Sequence, residues 1–341
     1  MNEQTQSYSH PDLAVRHSYP VIFKEEGFMA AFNLCMKTLP YMLMRIGAYL
    51  AFTIAAVIWA ALCFGIAYLF SGKDDKGGGG VIFFIIAIGA PAGIFYWLKQ
   101  YVLYMLKAGH VAVLTKLITV GELPAGINQV EYGKKIVTER FAQTNVMFAL
   151  DSIVTGVARA FNGTLDWISN ILPIPGMDSI MNVVHKIVDN ATTFIDETIM
   201  SYTLARGDEN VWRSSADGLV YYAANVKPIL KTAVTALVIE YVITGIVFLI
   251  ALIPAYIISW MLPGDLSSFA WVIAIPITAG VRAAILHPIF LVMVALTFHK
   301  NAQNQPINLD LDQVLTKVSD KFTKLKGKIM ESAKPAQEQI S

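Results

Sequence analysis

The stretch "AVTALVIEYVITGIVFLIALIPAYIISWML" (233–262) decides the fold class of this chain. Its one charged side chain is Glu240, and it is longer than the roughly 20 apolar residues that a helix needs to cross a bilayer. Similar runs occur at 43–70, 81–106 and 268–298. Only 15% of the residues are charged, whereas soluble domains have roughly 25%. The sequence therefore predicts an all-α, polytopic integral membrane protein with two hairpins of transmembrane helices.

These runs divide the chain into five predicted parts. They are an N-terminal part with an interfacial helix (1–42), a first transmembrane hairpin (43–106), a middle helical section (107–230), a second hairpin (231–298) and a basic amphipathic tail (299–341). The loops inside the hairpins carry few lysines and arginines, whereas the segments flanking the hairpins carry many. Because basic residues concentrate on the cytoplasmic side, we expect both termini and the middle section to be cytoplasmic.

The middle section contains two candidate helices, at about 134–170 and 178–205, joined by "NILPIPG" (170–176). Their polar residues recur in steps of three and four, which places them on one face of each helix. This polar stripe consists of Asp151, Arg159, Asp166, Asp178, His185, Asp189 and Asp196. The stripe faces either cytosolic water or an aqueous path inside the membrane. A helical hairpin crosses the membrane either twice or not at all, so the segments on both sides of it stay on the cytoplasmic side in either case. Four and six spans therefore fit the charge distribution equally well.

Three ionisable residues, Glu240, Arg282 and His287, lie within the predicted spans. At about 1.5 Å per residue, Glu240 and His287 lie at nearly the same depth, with Arg282 nearer the middle of the bilayer. We expect an intramembrane polar cluster in which Glu240 and His287 pair, or relay a proton. The cluster is either a structural polar clamp between the third and fourth helices, a group that serves permeation or gating, or a contact with lipid headgroups.

The tail has the pattern of an amphipathic helix. Its apolar positions are Leu311, Val314, Leu315, Val318, Phe322, Leu325 and Ile329, flanked by lysines. We expect it to lie on anionic lipid or to bundle with copies of itself in an oligomer, with a merely solvated helix as a third possibility.

Signatures of enzymes and metal sites are absent from the sequence. It has no GxSxG elbow, Walker loop, HExxH or CxxC motif, and its histidines lack metal-ligand spacing. No basic patch interleaved with aromatic residues indicates nucleic acid. We therefore predict no enzymatic activity, no cofactor and no nucleic-acid partner.

The residues 189–253 and the segment "HPIFLVMVALTF" (287–298) resemble choline transporter-like proteins. In that family an Asn-Ala helix leads to a small-residue segment and then to an amphipathic stretch that ends in Asn before a span. The matching positions are Asn190, Ala191, Ser215, Ala216 and Asn225. The resemblance covers about residues 190–300 and implies a transport-type membrane fold with the helices at 134–205 inside the bilayer. It implies no substrate site.

Together these features predict an oligomeric membrane channel or transport protein that passes small cations or cationic solutes. Carboxylates of the polar stripe would raise the local cation concentration and repel anions. Its expected partners are the lipid bilayer and further copies of the chain. The alternative is a non-conducting membrane scaffold that acts through its interfacial helices and its C-terminal tail.

Overall fold

The computed structural model describes residues 19–70, 79–140, 144–164, 181–207, 210–260 and 270–333. Within these ranges every regular element is a helix, which confirms the predicted all-α class. The helices are α1 (Phe28–Met36), α2 (Leu39–Phe70), α3 (Gly79–Thr119), α4 (Gln129–Arg140), α5 (Thr144–Asn162), α6 (Met181–Ala205), α7 (Val211–Ala224), α8 (Val226–Trp260), α9 (Ala270–Val281), a π-helical turn (Arg282–Leu286), α10 (His287–Ala302), α11 (Leu309–Val318) and α12 (Asp320–Ala333).

Four helical stretches in the described residues are long and apolar enough to cross a membrane. They are Leu39–Ala56, Phe95–Thr119, Val226–Trp260 and Ala270–Ala302. Pro40 and Pro228 fall in the first turns of α2 and α8. A proline is tolerated there because the first backbone N–H groups of a helix have no acceptor within it.

The predicted middle helices and the tail are each described in parts. The helix expected at 134–170 is described as α4 and α5, with 141–143 between them outside the described residues, and the helix expected at 178–205 is described from Met181 onward as α6. The linker "LPIPG" (172–176) lies outside the described residues. The tail is α11 and α12, because Ser319 between them has an extended backbone with φ −144 and ψ 110. The extended residue changes the direction of the chain between α11 and α12. The apolar periodicity on either side of Ser319 does not reveal this change.

The chain divides into two compact units. Unit 1 comprises Met1–Thr38, Gly109–Val242 and His287–Ser341, and unit 2 comprises Leu39–Ala108 and Ile243–Leu286. In unit 1, α6 packs against α5, α7 and α10, while α12 packs against α5 and α7 and α1 packs against α10. The core is aromatic: Phe194, Tyr202 and Phe290 are fully buried. Of the exposed large apolar side chains in the described residues, none belongs to α5, α6, α7 or α10.

Unit 2 has the reverse distribution of apolar side chains. Its core is built from small residues, Ala251, Ala255 and Ala274, which allow helix backbones to approach closely. Many of its described large apolar side chains are exposed, as in Leu249 at 64% exposure and Trp97 at 71%. This is the surface composition that a lipid phase would cover.

Candidate functional site

His287 occupies an irregular place in its helix. It is the first residue of α10 and directly follows the π-helical turn. The next residue, Pro288, has no N–H to donate to the carbonyl of Ala284, so the regular ladder is interrupted one turn before it. Widened turns of this kind occur often at functional sites. The sequence "RAAILHP" (282–288) thus accounts for the break that positions the imidazole.

Two carboxylates converge on the His287 ring from other helices of unit 1. Nε2 lies 3.1 Å from Oε1 of Glu197 on α6, and Nδ1 lies 3.6 Å from Oε1 of Glu240 on α8. Phe194, one turn before Glu197, stacks on the imidazole with ring centroids 4.9 Å apart and an interplanar angle of 18°. We call Glu197, Glu240 and His287 the carboxylate–imidazole site.

The carboxylate–imidazole site is largely shielded from solvent. The side chains of Glu240, Glu197 and His287 are 0%, 3% and 18% exposed. If both carboxylates are ionised, a protonated His287 leaves one net negative charge in a desolvated place. Buried charge is costly unless it is compensated, so the site favours uptake of one further proton or cation. Within the described residues, no group of three or more His, Cys, Asp or Glu has the arrangement of a metal centre.

The predicted intramembrane cluster is assembled in part. Glu240 and His287 come together as the equal-depth argument predicted, whereas Arg282 belongs to the π-helical turn of unit 2. Sequence reasoning missed Glu197, which fell beside the polar stripe. One signal was present: Phe194, Glu197 and Ser201 follow each other at helical spacing on the face of α6 that is otherwise apolar.

A second buried cluster surrounds His299, near the end of α10. Its Nδ1 is 2.8 Å from the Tyr19 hydroxyl, and its Nε2 is 2.8 Å from Ser201 Oγ. Ser201 Oγ is in turn 2.7 Å from Thr115 Oγ1 on α3. Burial raises the pKa of Tyr19, so its phenol stays protonated at neutral pH. We call Tyr19, Thr115, Ser201 and His299 the hydroxyl–imidazole cluster.

A small cavity separates the two histidine groups. Its only polar lining residues are Glu197 and Ser201, one turn apart on α6. The apolar wall consists of Val111, Leu114, Ile118, Leu291, Val292 and Ala295. The space has room for about one water molecule.

The residues of the polar stripe differ in their exposure to solvent. Asp189 and Arg159 are exposed, Asp151 is half-buried and Asp196 is buried. Asp151 and Asp196 line a common small cavity between α5 and α6. Asp166 and Asp178 lie outside the described residues, and the His185 side chain is also outside them.

Asp217 on α7 is a buried acid that the sequence patterns did not single out. Its side chain is fully buried in unit 1. Desolvation raises its pKa from 3.8 to about 7, although Arg213 and Arg206 act in the opposite direction. Its carboxyl group therefore titrates near neutral pH.

The apolar face of the tail is covered within unit 1. Phe322, Leu325 and Ile329 are buried in the contacts of α12 with α5 and α7. A buried ion pair between Asp312 and Lys326 joins α11 to α12. While α12 is docked in this way, its apolar face cannot contact lipid or another copy of the chain.

Comparison of this chain with protein-family models, with curated proteins and with solved structures finds no match.

Proposed function

We propose that this chain is a membrane transport protein that passes small cations, with the carboxylate–imidazole site as the place where the cation is held. The observation that carries this proposal is the burial of Glu240 and His287 in helices apolar enough to span a bilayer, in contact with each other and with Glu197 of α6. Ionisable residues are costly in such helices and usually serve transport or proton transfer. A site with two carboxylates and one imidazole has the charge to attract a cation.

The topology that we propose has four spans in two hairpins, with both termini cytoplasmic. The apolar outer surface of unit 2 supports its location in lipid. The concentration of lysine and arginine in the segments that flank the hairpins supports the cytoplasmic location of both termini. Four spans are favoured over six because α5 and α6 expose no large apolar side chain among their described residues.

The exposed part of the polar stripe then has a role at the entrance. Asp189, at the surface of unit 1, and half-buried Asp151 would raise the cation concentration in the water nearby, while Arg159 reduces that effect. The resemblance to choline transporter-like proteins agrees with a transport function. We further propose that the protein works as a homo-oligomer, because four spans provide few polar groups for a path within one chain.

Flux through purified protein in liposomes tests the function. In vesicles with a salt gradient, we expect Glu240→Gln to lower cation flux about 10- to 100-fold, the factor for losing a hydrogen bond to a charged group. Glu139→Gln is the matched control, since Glu139 is 56% exposed and pairs with Lys135 at helical spacing. Anion-selective currents, or equal flux in both variants, would contradict the proposal.

Labelling of a single cysteine tests the topology. Lys186 is exposed on α6, so Lys186→Cys should react with an impermeant thiol reagent only from the cytoplasmic side. Reaction from the outer side would support six spans.

Native mass measurement in mild detergent tests the proposed homo-oligomer, and a monomer would contradict that part of the proposal.

A membrane-organising scaffold is the second candidate, and α1 is the observation that favours it. Ala30, Ala31 and Leu34 of α1 are buried, while Phe28 and Met29 are exposed beside the start of α2. An exposed apolar face next to a span suits the membrane interface. A protein that remodels vesicles but passes no ion, and loses remodelling in Met29→Lys, would favour this candidate.

A further inference from the structure

A row of neighbouring residues on α10 connects its two histidines. His287, Leu291, Ala295 and His299 are each four residues apart, so successive members adjoin each other while the row winds by about 120° around the helix. At about 1.5 Å per residue, the two histidines are separated by roughly 18 Å along the helix axis. Both ends of this row are proton-exchanging groups and its middle is apolar.

Each histidine contacts groups that can pass a proton on. His287 contacts Glu197 of α6 and Glu240 of α8. His299 contacts Tyr19 and Ser201, and Ser201 contacts Thr115. Because Glu197 and Ser201 are one turn apart on α6, that helix links the two clusters. Arg206 and Tyr221 act electrostatically on Tyr19, at the far end.

The gap between the clusters suits a proton rather than a larger ion. The cavity lined by Glu197, Ser201, Leu291 and Ala295 has room for about one water molecule, so a hydrated metal ion does not fit. Narrow apolar constrictions conduct only while they hold water. One water in this cavity has a carboxylate on one side and a hydroxyl on the other as its hydrogen-bond partners.

We propose that the α10 row is a proton path in which the carboxylate–imidazole site and the hydroxyl–imidazole cluster are two stations, joined by water that enters the apolar gap at Leu291 and Ala295. This inference rests on the proposed transport function and names the proton as the cation transported.

The transfer balances at every group along the path. A proton from Glu240 enters His287 at Nδ1, and the ring releases the proton on Nε2 to Glu197. Glu197 passes a proton to the water, which passes one to Ser201 as the Ser201 hydroxyl proton moves to His299 Nε2. His299 then releases a proton from Nδ1 to the Tyr19 oxygen, and the phenol passes its own proton to water at that end of the path. One proton enters, one leaves, and rotation of the hydroxyl, carboxyl and imidazole groups restores the starting pattern.

The test measures proton entry into liposomes that contain a pH-sensitive dye, under an imposed membrane potential. Ala295→Ser adds a hydroxyl to the gap, and we expect proton flux to rise about 2- to 10-fold, as one added hydrogen bond would give. Val294→Thr is the matched control, because it adds a hydroxyl at a buried position of α10 that does not line the cavity. His299→Gln can keep both hydrogen bonds but cannot relay a proton, so flux should fall about 100-fold.

Parallel measurements of sodium and potassium flux separate this inference from the proposed function. Metal-ion flux without proton flux would overturn the proton path and leave cation transport standing. Absence of any ion flux in the wild type would overturn both. If His299→Gln does not fold, the proton flux of Ala295→Ser is compared with that of Val294→Thr. Equal proton flux in those two variants would overturn the path.

Discussion

The two units of this protein differ in where their large apolar side chains lie. Unit 1 encloses large aromatic residues such as Phe290 and Tyr202, and the described residues of its helices α5, α6, α7 and α10 expose no large apolar side chain. Unit 2 encloses alanines and turns Leu249 and Trp97 outward. In water, burial of large apolar groups drives packing, whereas in lipid no such force acts and close contact between small residues replaces it. The comparison teaches that the size of the residues in a core changes together with the polarity of the surface around it, which supports the proposed lipid surroundings of unit 2.

Truncation of an aromatic side chain in the unit 1 core should have the largest effect. Phe290→Ala leaves a cavity at a fully buried position, so we expect a loss of about 3–5 kcal/mol in the free energy of unfolding. Denaturant unfolding in mild detergent measures it. Met330→Ala, at a position that is 46% exposed in the same unit, is the control and should change little. A loss below about 1 kcal/mol in Phe290→Ala would mean that unit 1 is not packed like a water-soluble domain.

Buried Asp217 should make unit 1 less stable as the pH rises. Its pKa is 3.8 when unfolded and about 7 when folded, so between these values the folded state binds more protons. Stability from this group is therefore fully present below about pH 4, falls up to about pH 7 and then stays constant, by on the order of 4 kcal/mol at most.

Unfolding of Asp217→Asn across that pH range tests this prediction. The stability of the variant relative to the wild type should rise from pH 4 to pH 7, because the variant has no buried carboxyl group that must ionise. Asp189→Asn, at an exposed position, should show no such rise. A difference between Asp217→Asn and the wild type that stays constant or falls across this range would contradict the sign.

A charge on the outer surface of unit 2 should be costly, unlike a charge on unit 1. Leu249→Lys places an ammonium group on a surface that we propose is covered by lipid, at about 2.5–3.5 kcal/mol near the centre of a span. Met330→Lys in unit 1 should be close to neutral. The yield of membrane-inserted, folded protein compares the two variants, and equal yields would argue against lipid at this face of unit 2.

Enlargement of a small residue in the unit 2 core should have the smallest of these effects. Ala255→Leu forces apart helices that meet at alanines, at about 1–3 kcal/mol. The unfolding temperature in detergent measures it, and Ala205→Leu at the half-buried end of α6 is the control. An unchanged unfolding temperature in Ala255→Leu would show that close approach of small residues does not hold unit 2 together.

Much of the fold was readable from local pattern. Continuous apolar runs predicted the four long helices, because the length needed to cross a bilayer depends on the segment itself. The prolines at 40 and 228 marked helix starts for the same local reason. Pairing of Glu240 with His287 also followed, since both depths could be counted from the ends of their runs.

Other features required contacts between distant parts of the chain. The sequence by itself determined the helical class, the four stretches that are long and apolar enough to cross a membrane, and two members of the carboxylate–imidazole site. Only the tertiary structure decided that Glu197 completes that site, that His299 contacts Tyr19 across most of the chain, and that α5 and α7 cover the apolar face of α12. The reason is physical: helix length and amphipathicity depend on residues within a few turns, whereas the partner of a buried polar group depends on which helix faces meet when the core closes.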